Sequence, residues 1–132
     1  MHQNKLKQIF LSLILLALCG SAFALDCSKA ITTPDINECA SIDQKKVEAK
    51  LNKVYQRVLK SLDKPDAPLE PYSEMRKTLV AAQRAWIKFR EADCDAVYQK
   101  HVSGTIRTVM YIGCMQSHAE KRIKELEDYE SE

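Results

Sequence analysis

The cysteines constrain the fold of this chain more than any other feature. Four of them, Cys27, Cys39, Cys94 and Cys114, follow an N-terminal apolar segment. An even number of cysteines in a short exported chain predicts two disulfides, because the compartment is oxidising and a small core gains stability from cross-links. Structural zinc sites usually take their cysteines in close pairs, and these four are far apart in sequence. We therefore expect two disulfides, and the sequence leaves three pairings open.

Residues 1–24 have the features of a signal peptide. Two lysines precede an apolar run at 10–19, and an Ala-Phe-Ala triplet ends the segment. The run is too short to span a bilayer comfortably, so we expect cleavage after Ala24 and no stable membrane span afterwards. Lipid attachment at Cys19 is disfavoured, since Leu18 stands where a small residue is required. We therefore expect a periplasmic or secreted protein.

The exported part of the chain, residues 25–132, is formally neutral. It keeps all 18 acidic residues, and 18 of the 20 basic residues remain once the two lysines of the leader are subtracted. A protein that binds nucleic acid normally carries a clear excess of positive charge. We therefore expect no nucleic-acid partner, and the length fits a single domain.

Apolar residues recur every three or four positions over most of this domain, which is typical of amphipathic helices. A proline-rich stretch at 63–71 predicts a loop, and the dense negative charge of 128–132 predicts a frayed, solvated tail. The pattern favours an all-α fold, an antiparallel three-helix bundle with two disulfides. The three helices are expected near residues 35–62, 72–100 and 109–128.

The stretch AAQRAWIKFREADC, residues 81–94, contains the only tryptophan. On a helix Trp86 and Phe89 share one side, and each ring can bury about 150–250 Å². We interpret the pair as part of the core between the helices. The polar residues beside the rings are expected to hydrogen-bond helix ends or the first helix: Gln83, Arg90 and Asp93.

The same stretch resembles a family signature. AQRAWIKFREADC at 82–94 is similar to the AQRAWxxFRDAxC motif of the lysozyme inhibitor LprI family, except that Glu91 stands where Asp is usual. INECA at 36–40 resembles the family's MNxCA segment, and LNKVY at 51–55 its LNxxY. The SGT loop followed by Cys114 resembles its Gly-Ser loop and last cysteine. The resemblance covers most of the exported chain and implies a small, exported, disulfide-linked helical protein, with lysozyme inhibition as the expected activity.

Features typical of an enzyme are few. The chain has no GxSxG, HExxH, P-loop or dinucleotide fingerprint. Glu91 and Asp95 share a helix face, but two carboxylates on an exposed helix are usually solvated. His101 and His118 are interpreted as a loop residue and a helix-surface residue. We expect neither catalysis nor a cofactor or metal.

The segment between the second and third helices is the candidate partner-binding site. Its residues Ser103, Thr105 and Arg107 lie between Cys94 and Cys114, so a disulfide framework would tether them. Lysozyme uses two carboxylates in a cleft, and a tethered loop that offers hydroxyls or a cation there would compete with glycan. The alternatives are a solvated loop arginine and, for the protein, a non-catalytic envelope structural or stress-related module with another ligand. The sequence leaves the oligomeric state open.

Overall fold

The computed structural model describes residues 25–131 and consists of helices joined by short connections. The all-α, three-helix prediction is confirmed, and the described range contains no strand. No described helix is both long and apolar enough to cross a membrane. The predicted signal peptide, 1–24, and Cys19 lie outside the described residues. The helices are a short 3-10 helix, Cys27–Lys29, followed by α1, Thr33–Ser61, α2, Tyr72–Lys100, and α3, Arg107–Ser131.

The helix starts follow from local capping. Thr32 caps α1 by accepting a hydrogen bond from the Asp35 amide at 3.3 Å, and Pro34 occupies the first turn. At the start of α2, Asp66 reaches forward from the proline-rich loop and accepts the Ser73 amide at 2.7 Å. Both carboxylate and hydroxyl thus satisfy amides that have no partner inside their helices.

The helices alternate in direction along the bundle. α3 packs against both α1 and α2, whereas α1 and α2 are joined mainly through long side chains. One of these is Arg76, which donates from Nη1 to the Leu59 carbonyl at 3.0 Å. The start of α1, the end of α2 and the start of α3 therefore lie at one end of the bundle. The opposite termini lie at the other.

Aliphatic packing dominates one end of the bundle, where α1 ends, α2 starts and α3 ends. Val58 is fully buried there and Leu126 is 1% exposed. Removing such side chains from water is the main favourable contribution in a core of this kind. We call this region the aliphatic end. Its buried core residues are Leu51, Val54, Val58, Leu59, Leu62, Leu79, Ala119, Ile123 and Leu126.

Two disulfides define the opposite end of the bundle. Cys27 is bonded to Cys39, which ties the 3-10 helix to α1, and Cys94 is bonded to Cys114, which ties α2 to α3. The Cα atoms are 5.6 Å apart in both bridges. The prediction of two disulfides is confirmed, and of the three pairings left open the structure has the local one. We call this region the disulfide end.

The last helix extends into the segment that was predicted to be a frayed tail, so the predicted end of that helix is wrong. α3 continues to Ser131 rather than ending near 128. Glu130 accepts a hydrogen bond from Arg57 Nε of α1 at 2.7 Å, so part of the negative charge has a cation beside it. This ion pair stabilises the helical form of the acidic segment. The composition of the segment alone did not predict it.

Candidate partner-binding loop

The connection between α2 and α3 is short and held at both ends. Cys94 is completely buried in α2, and its bridge to Cys114 fixes the helices on either side of residues 101–106. Within the connection the Gly104 amide donates to the His101 carbonyl at 3.0 Å, which closes a turn. The loop therefore has little freedom to rearrange.

The outer surface of the loop mixes apolar and hydroxyl side chains. Val102 and Ile106 are 51% and 50% exposed. Ser103 and Thr105 are also exposed, and neither side chain hydrogen-bonds another described residue. Two hydroxyls that can donate or accept, flanked by two aliphatic groups, form a small amphipathic surface. We call residues 101–106 the inter-helix loop.

Arg107 does not project from this loop. It is the first residue of α3 and half-buried, and its guanidinium donates from Nη1 to the Gly104 carbonyl at 3.0 Å and to the Val102 carbonyl at 3.4 Å. Nε donates to the Tyr98 hydroxyl at 3.0 Å. The arginine was expected in the loop as a displayed cation or a solvated side chain. It instead braces the loop, because a guanidinium can serve several acceptors at once.

The AQRAWIKFREADC motif of α2 contributes a buried polar layer rather than an apolar core. Gln83 and Arg90 are each 7% exposed. Gln83 accepts a hydrogen bond from Arg122 Nε at 2.9 Å, and Arg90 Nη1 lies 2.6 Å from Glu48 Oε1. The partner of Arg90 lies on the first helix, α1, as expected, whereas the partner of Gln83 lies on α3. We call this group, with Trp86 at its centre, the polar layer.

Trp86 is half-buried between two cations. The Arg90 guanidinium lies 4.6 Å from the ring centroid and that of Arg122 5.9 Å from it. Arginine stacks well on an indole face, since the guanidinium is planar and weakly hydrated. Trp86 also packs against the aliphatic core. It therefore joins the polar layer to the aliphatic end.

The prediction that Phe89 is a core residue is wrong. Its side chain is 60% exposed, and its ring forms a T-shaped pair with the His118 ring, with centroids 5.5 Å apart. Helical rotation explains the difference, because Gln83, Arg90 and Cys94 occupy the side of α2 that faces α1 and α3. Phe89 lies at the margin of that side.

Asp93 pairs with a residue that lies far from it in the sequence. Its Oδ2 lies 2.7 Å from His118 Nε2 of α3, and His118 is partly buried. His118 was expected on a helix surface. Positions so distant in sequence carry no local signal of contact, and only the register of α2 against α3 brings them together. His101 caps the end of α2.

Two carboxylates of α2 were weighed as an acid and base pair, and a group of possible metal ligands lies near them in the described part of the chain. Glu91 and Asp95 lie on the exposed side of α2, and neither forms an ion pair within residues 25–131. Ligand atoms of Cys94, Cys114 and His118 lie within 4.8 Å of one another. The two sulfurs are close because they form a disulfide. Oxidised sulfurs are not the thiolates that metals bind, so this proximity does not indicate a metal site.

Comparison with known proteins identifies the family. The model of the lysozyme inhibitor LprI family matches residues 26–126, which is most of the chain. This chain belongs to the LprI family. It is also 32% identical over 107 residues to an uncharacterized protein of Rhizobium meliloti (strain 1021), covering 78% of this chain and 77% of that protein. No solved structure matches. Membership of the LprI family supports an exported protein that resembles a lysozyme inhibitor.

Proposed function

We propose that this LprI-family protein inhibits a lysozyme by docking the inter-helix loop into the glycan-binding cleft, without catalysing a reaction. The observation that carries the proposal is the braced loop itself. It combines exposed Val102 and Ile106 with the hydroxyls of Ser103 and Thr105 on a connection closed by a disulfide. A surface fixed before binding loses little conformational entropy when it docks.

The chemistry of a lysozyme cleft suits such a loop. The cleft holds a pair of carboxyl groups that flank the scissile bond. Ser103 and Thr105 offer O–H donors to a carboxylate, and Val102 and Ile106 offer apolar area to the walls of the cleft. Arg107 supports the loop from behind, since its three donor contacts hold Tyr98 and two loop carbonyls.

A cell-wall lysis assay tests the proposal directly. The oxidised protein, at low salt, is expected to slow lysis by an animal-type or a bacterial lysozyme. Ile106→Asp is expected to weaken inhibition by about tenfold or more, because it places a charge in the docked surface. The matched control is Leu69→Asp, at a leucine that is 95% exposed at the aliphatic end. Undiminished lysis with both enzymes would refute inhibition.

Arg107→Lys tests whether Arg107 acts through its hydrogen bonds to the loop or through its positive charge. Lysine keeps the cation but lacks the planar fork that reaches several acceptors. Weakened inhibition with Arg107→Lys agrees with a bracing role, whereas full inhibition would mean that the cation alone is enough. If the protein instead retains, from an envelope extract, a partner that is not a glycan hydrolase, the alternative of a different envelope ligand is correct.

A further inference from the structure

We propose that the exposed apolar face of α2 pairs with the same face of a second copy of this chain, with the two α2 helices antiparallel. The face is centred on Phe89, whose ring is 60% exposed. Its other members are also exposed and succeed one another by three and four residues. We call it the Phe89 face. It comprises Ala82, Ala85, Phe89, Ala92 and Ala96.

The spacing of the Phe89 face is that of a helix-pairing seam. Alternating steps of three and four residues place all five side chains in one stripe, the pattern by which two helices interlock. The bundle uses a different stripe of α2 for its own core, namely the one that contains Gln83, Arg90 and Cys94. The Phe89 face therefore remains available after the domain has folded.

The shapes on this face favour an antiparallel copy. In an antiparallel pair each layer joins two different positions of the seam, so Phe89 of one copy lies against Ala92 of the other. Ala85 then lies against Ala96 of the second copy. A large ring beside a small side chain packs without a void or a clash. A parallel pair would instead stack Phe89 on Phe89 and leave gaps beside the alanines.

The charges beside the face complement each other in the same register. Lys88 and Asp95 are exposed along one margin of the seam, and neither forms an ion pair within the described part of the chain. Antiparallel pairing brings Lys88 of each copy opposite Asp95 of the other, and two-fold symmetry forms this contact twice. A face that carries both charges seven residues apart is self-complementary, which favours a second copy over an unrelated protein.

The pairing goes beyond lysozyme binding and does not depend on it. The inter-helix loop follows the end of α2, outside the Phe89 face, so an antiparallel pair points its two loops in opposite directions. Each loop then remains free to engage a separate target. Failure of the lysis assay would leave the pairing intact, and a monomer could still inhibit.

Sedimentation equilibrium of the oxidised protein over a wide concentration range tests the pairing. A reversible monomer–dimer equilibrium is expected. Ala85→Glu, within the face, should raise the dimer Kd by about tenfold or more. Ala49→Glu makes the same change at an exposed alanine of α1 and should leave the Kd unaltered. Circular dichroism of both variants checks that the helices are retained.

A charge exchange tests the register itself. Lys88→Glu alone is expected to weaken the dimer several-fold, because it sets two negative charges opposite each other twice. Combining it with Asp95→Lys should restore the dimer, since opposite charges face again. Failure of the combined variant to recover, or a monomer at every concentration, overturns the proposal. So does a monomer in which Ala85→Glu weakens lysozyme binding, because the face would then belong to that enzyme.

Discussion

The two ends of the bundle are held together by different chemistry. At the aliphatic end, buried residues such as Val58 and Leu126 pack across all three helices. At the disulfide end the buried apolar set is small, and covalent bridges with polar contacts hold the chain. Aliphatic packing requires many buried side chains, whereas a disulfide requires only two. A short helical domain can therefore support an exposed loop at one end without extending its core there.

Leu126→Ala should produce the largest loss of stability and tests whether the aliphatic end carries the fold. Leu126 is 1% exposed, so its truncation leaves a cavity that neighbouring helices fill only in part. We expect a fall of about 4 kcal/mol in the free energy of unfolding, measured by urea denaturation. Leu69→Ala, at a leucine that is 95% exposed, is the control and should change it by less than about 0.5 kcal/mol. Similar losses for both variants would show that stability at the aliphatic end does not depend on burial.

Replacing Cys94 and Cys114 by serine tests how much the bridge stabilises the disulfide end. The bridge closes a loop of 20 residues, and the entropy of that loop corresponds to about 3 kcal/mol. Hydrogen exchange should quicken first in residues 101–106, since these lose their tether while the aliphatic core remains. Exchange that quickens equally throughout would show that the bridge supports the whole fold.

The Cys27–Cys39 bridge provides an internal comparison. It spans 12 residues, but the 3-10 helix that it holds contains no buried residue. This segment can detach without exposing core. Replacing both cysteines by serine should therefore cost less than about 1 kcal/mol, well below the loss for the other bridge. An equal loss would mean that the N-terminal segment packs more firmly than its exposure indicates.

Arg90→Ala tests the polar layer that lies between the two ends. The change leaves Glu48, only 28% exposed, without its cation and removes the guanidinium from the Trp86 ring. We expect a loss of about 2 kcal/mol, because a partly buried carboxylate is left unpaired. Arg90→Met combined with Glu48→Gln should lose less, since no charge then remains unpaired. If the double change costs more than Arg90→Ala, the ion pair itself, rather than the absence of an unpaired carboxylate, is the stabilising element.

The helices and loops of this protein could be predicted from sequence because their signals are local. Prolines at 63–71 end one periodic stretch, and the apolar steps of α2 predict its range correctly. The position of Phe89 could not be predicted in the same way. Two adjacent stripes of α2 each contain apolar residues, and hydropathy disfavours the one with Gln83 and Arg90. That stripe is buried with Glu48 and Arg122, on other helices, bonded to Arg90 Nη1 and Gln83, although Arg90 Nε has no hydrogen-bond partner among the described residues.

The candidate site was likewise predictable from the sequence only in part. Cysteines on either side of the loop predicted a tether, and the structure closes it between Cys94 and Cys114, a pairing that the sequence had left open. The role of Arg107 did not, because its acceptors are two backbone carbonyls and the Tyr98 hydroxyl, and none of these is visible as a motif. A charged residue near a helix start can cap, brace or project, and only the surrounding geometry selects one of these roles.

Asp66 and Asp26 are carboxylates with a lowered pKa, one at each end of the bundle. The Ser73 hydroxyl and amide lower the pKa of Asp66 from its ordinary value of 3.8, and the Ser28 hydroxyl is the main cause of the lowered pKa of Asp26. A carboxylate whose folded pKa is lowered stabilises the protein above its unfolded pKa. That contribution is lost as the pH falls through the folded value.

Asp66→Ala is expected to lower Tm modestly at neutral pH, and the deficit should shrink as the pH falls below about 4. The cap starts α2, so its loss acts on the cooperative unit that contains the aliphatic core. Asp26→Ala should change Tm less, because the Cys27–Cys39 bridge holds that segment without the cap. Thermal melts of both variants between neutral and acidic pH distinguish these outcomes. A larger loss of Tm for Asp26→Ala than for Asp66→Ala would show that the cap stabilises the disulfide end more than the Cys27–Cys39 bridge does.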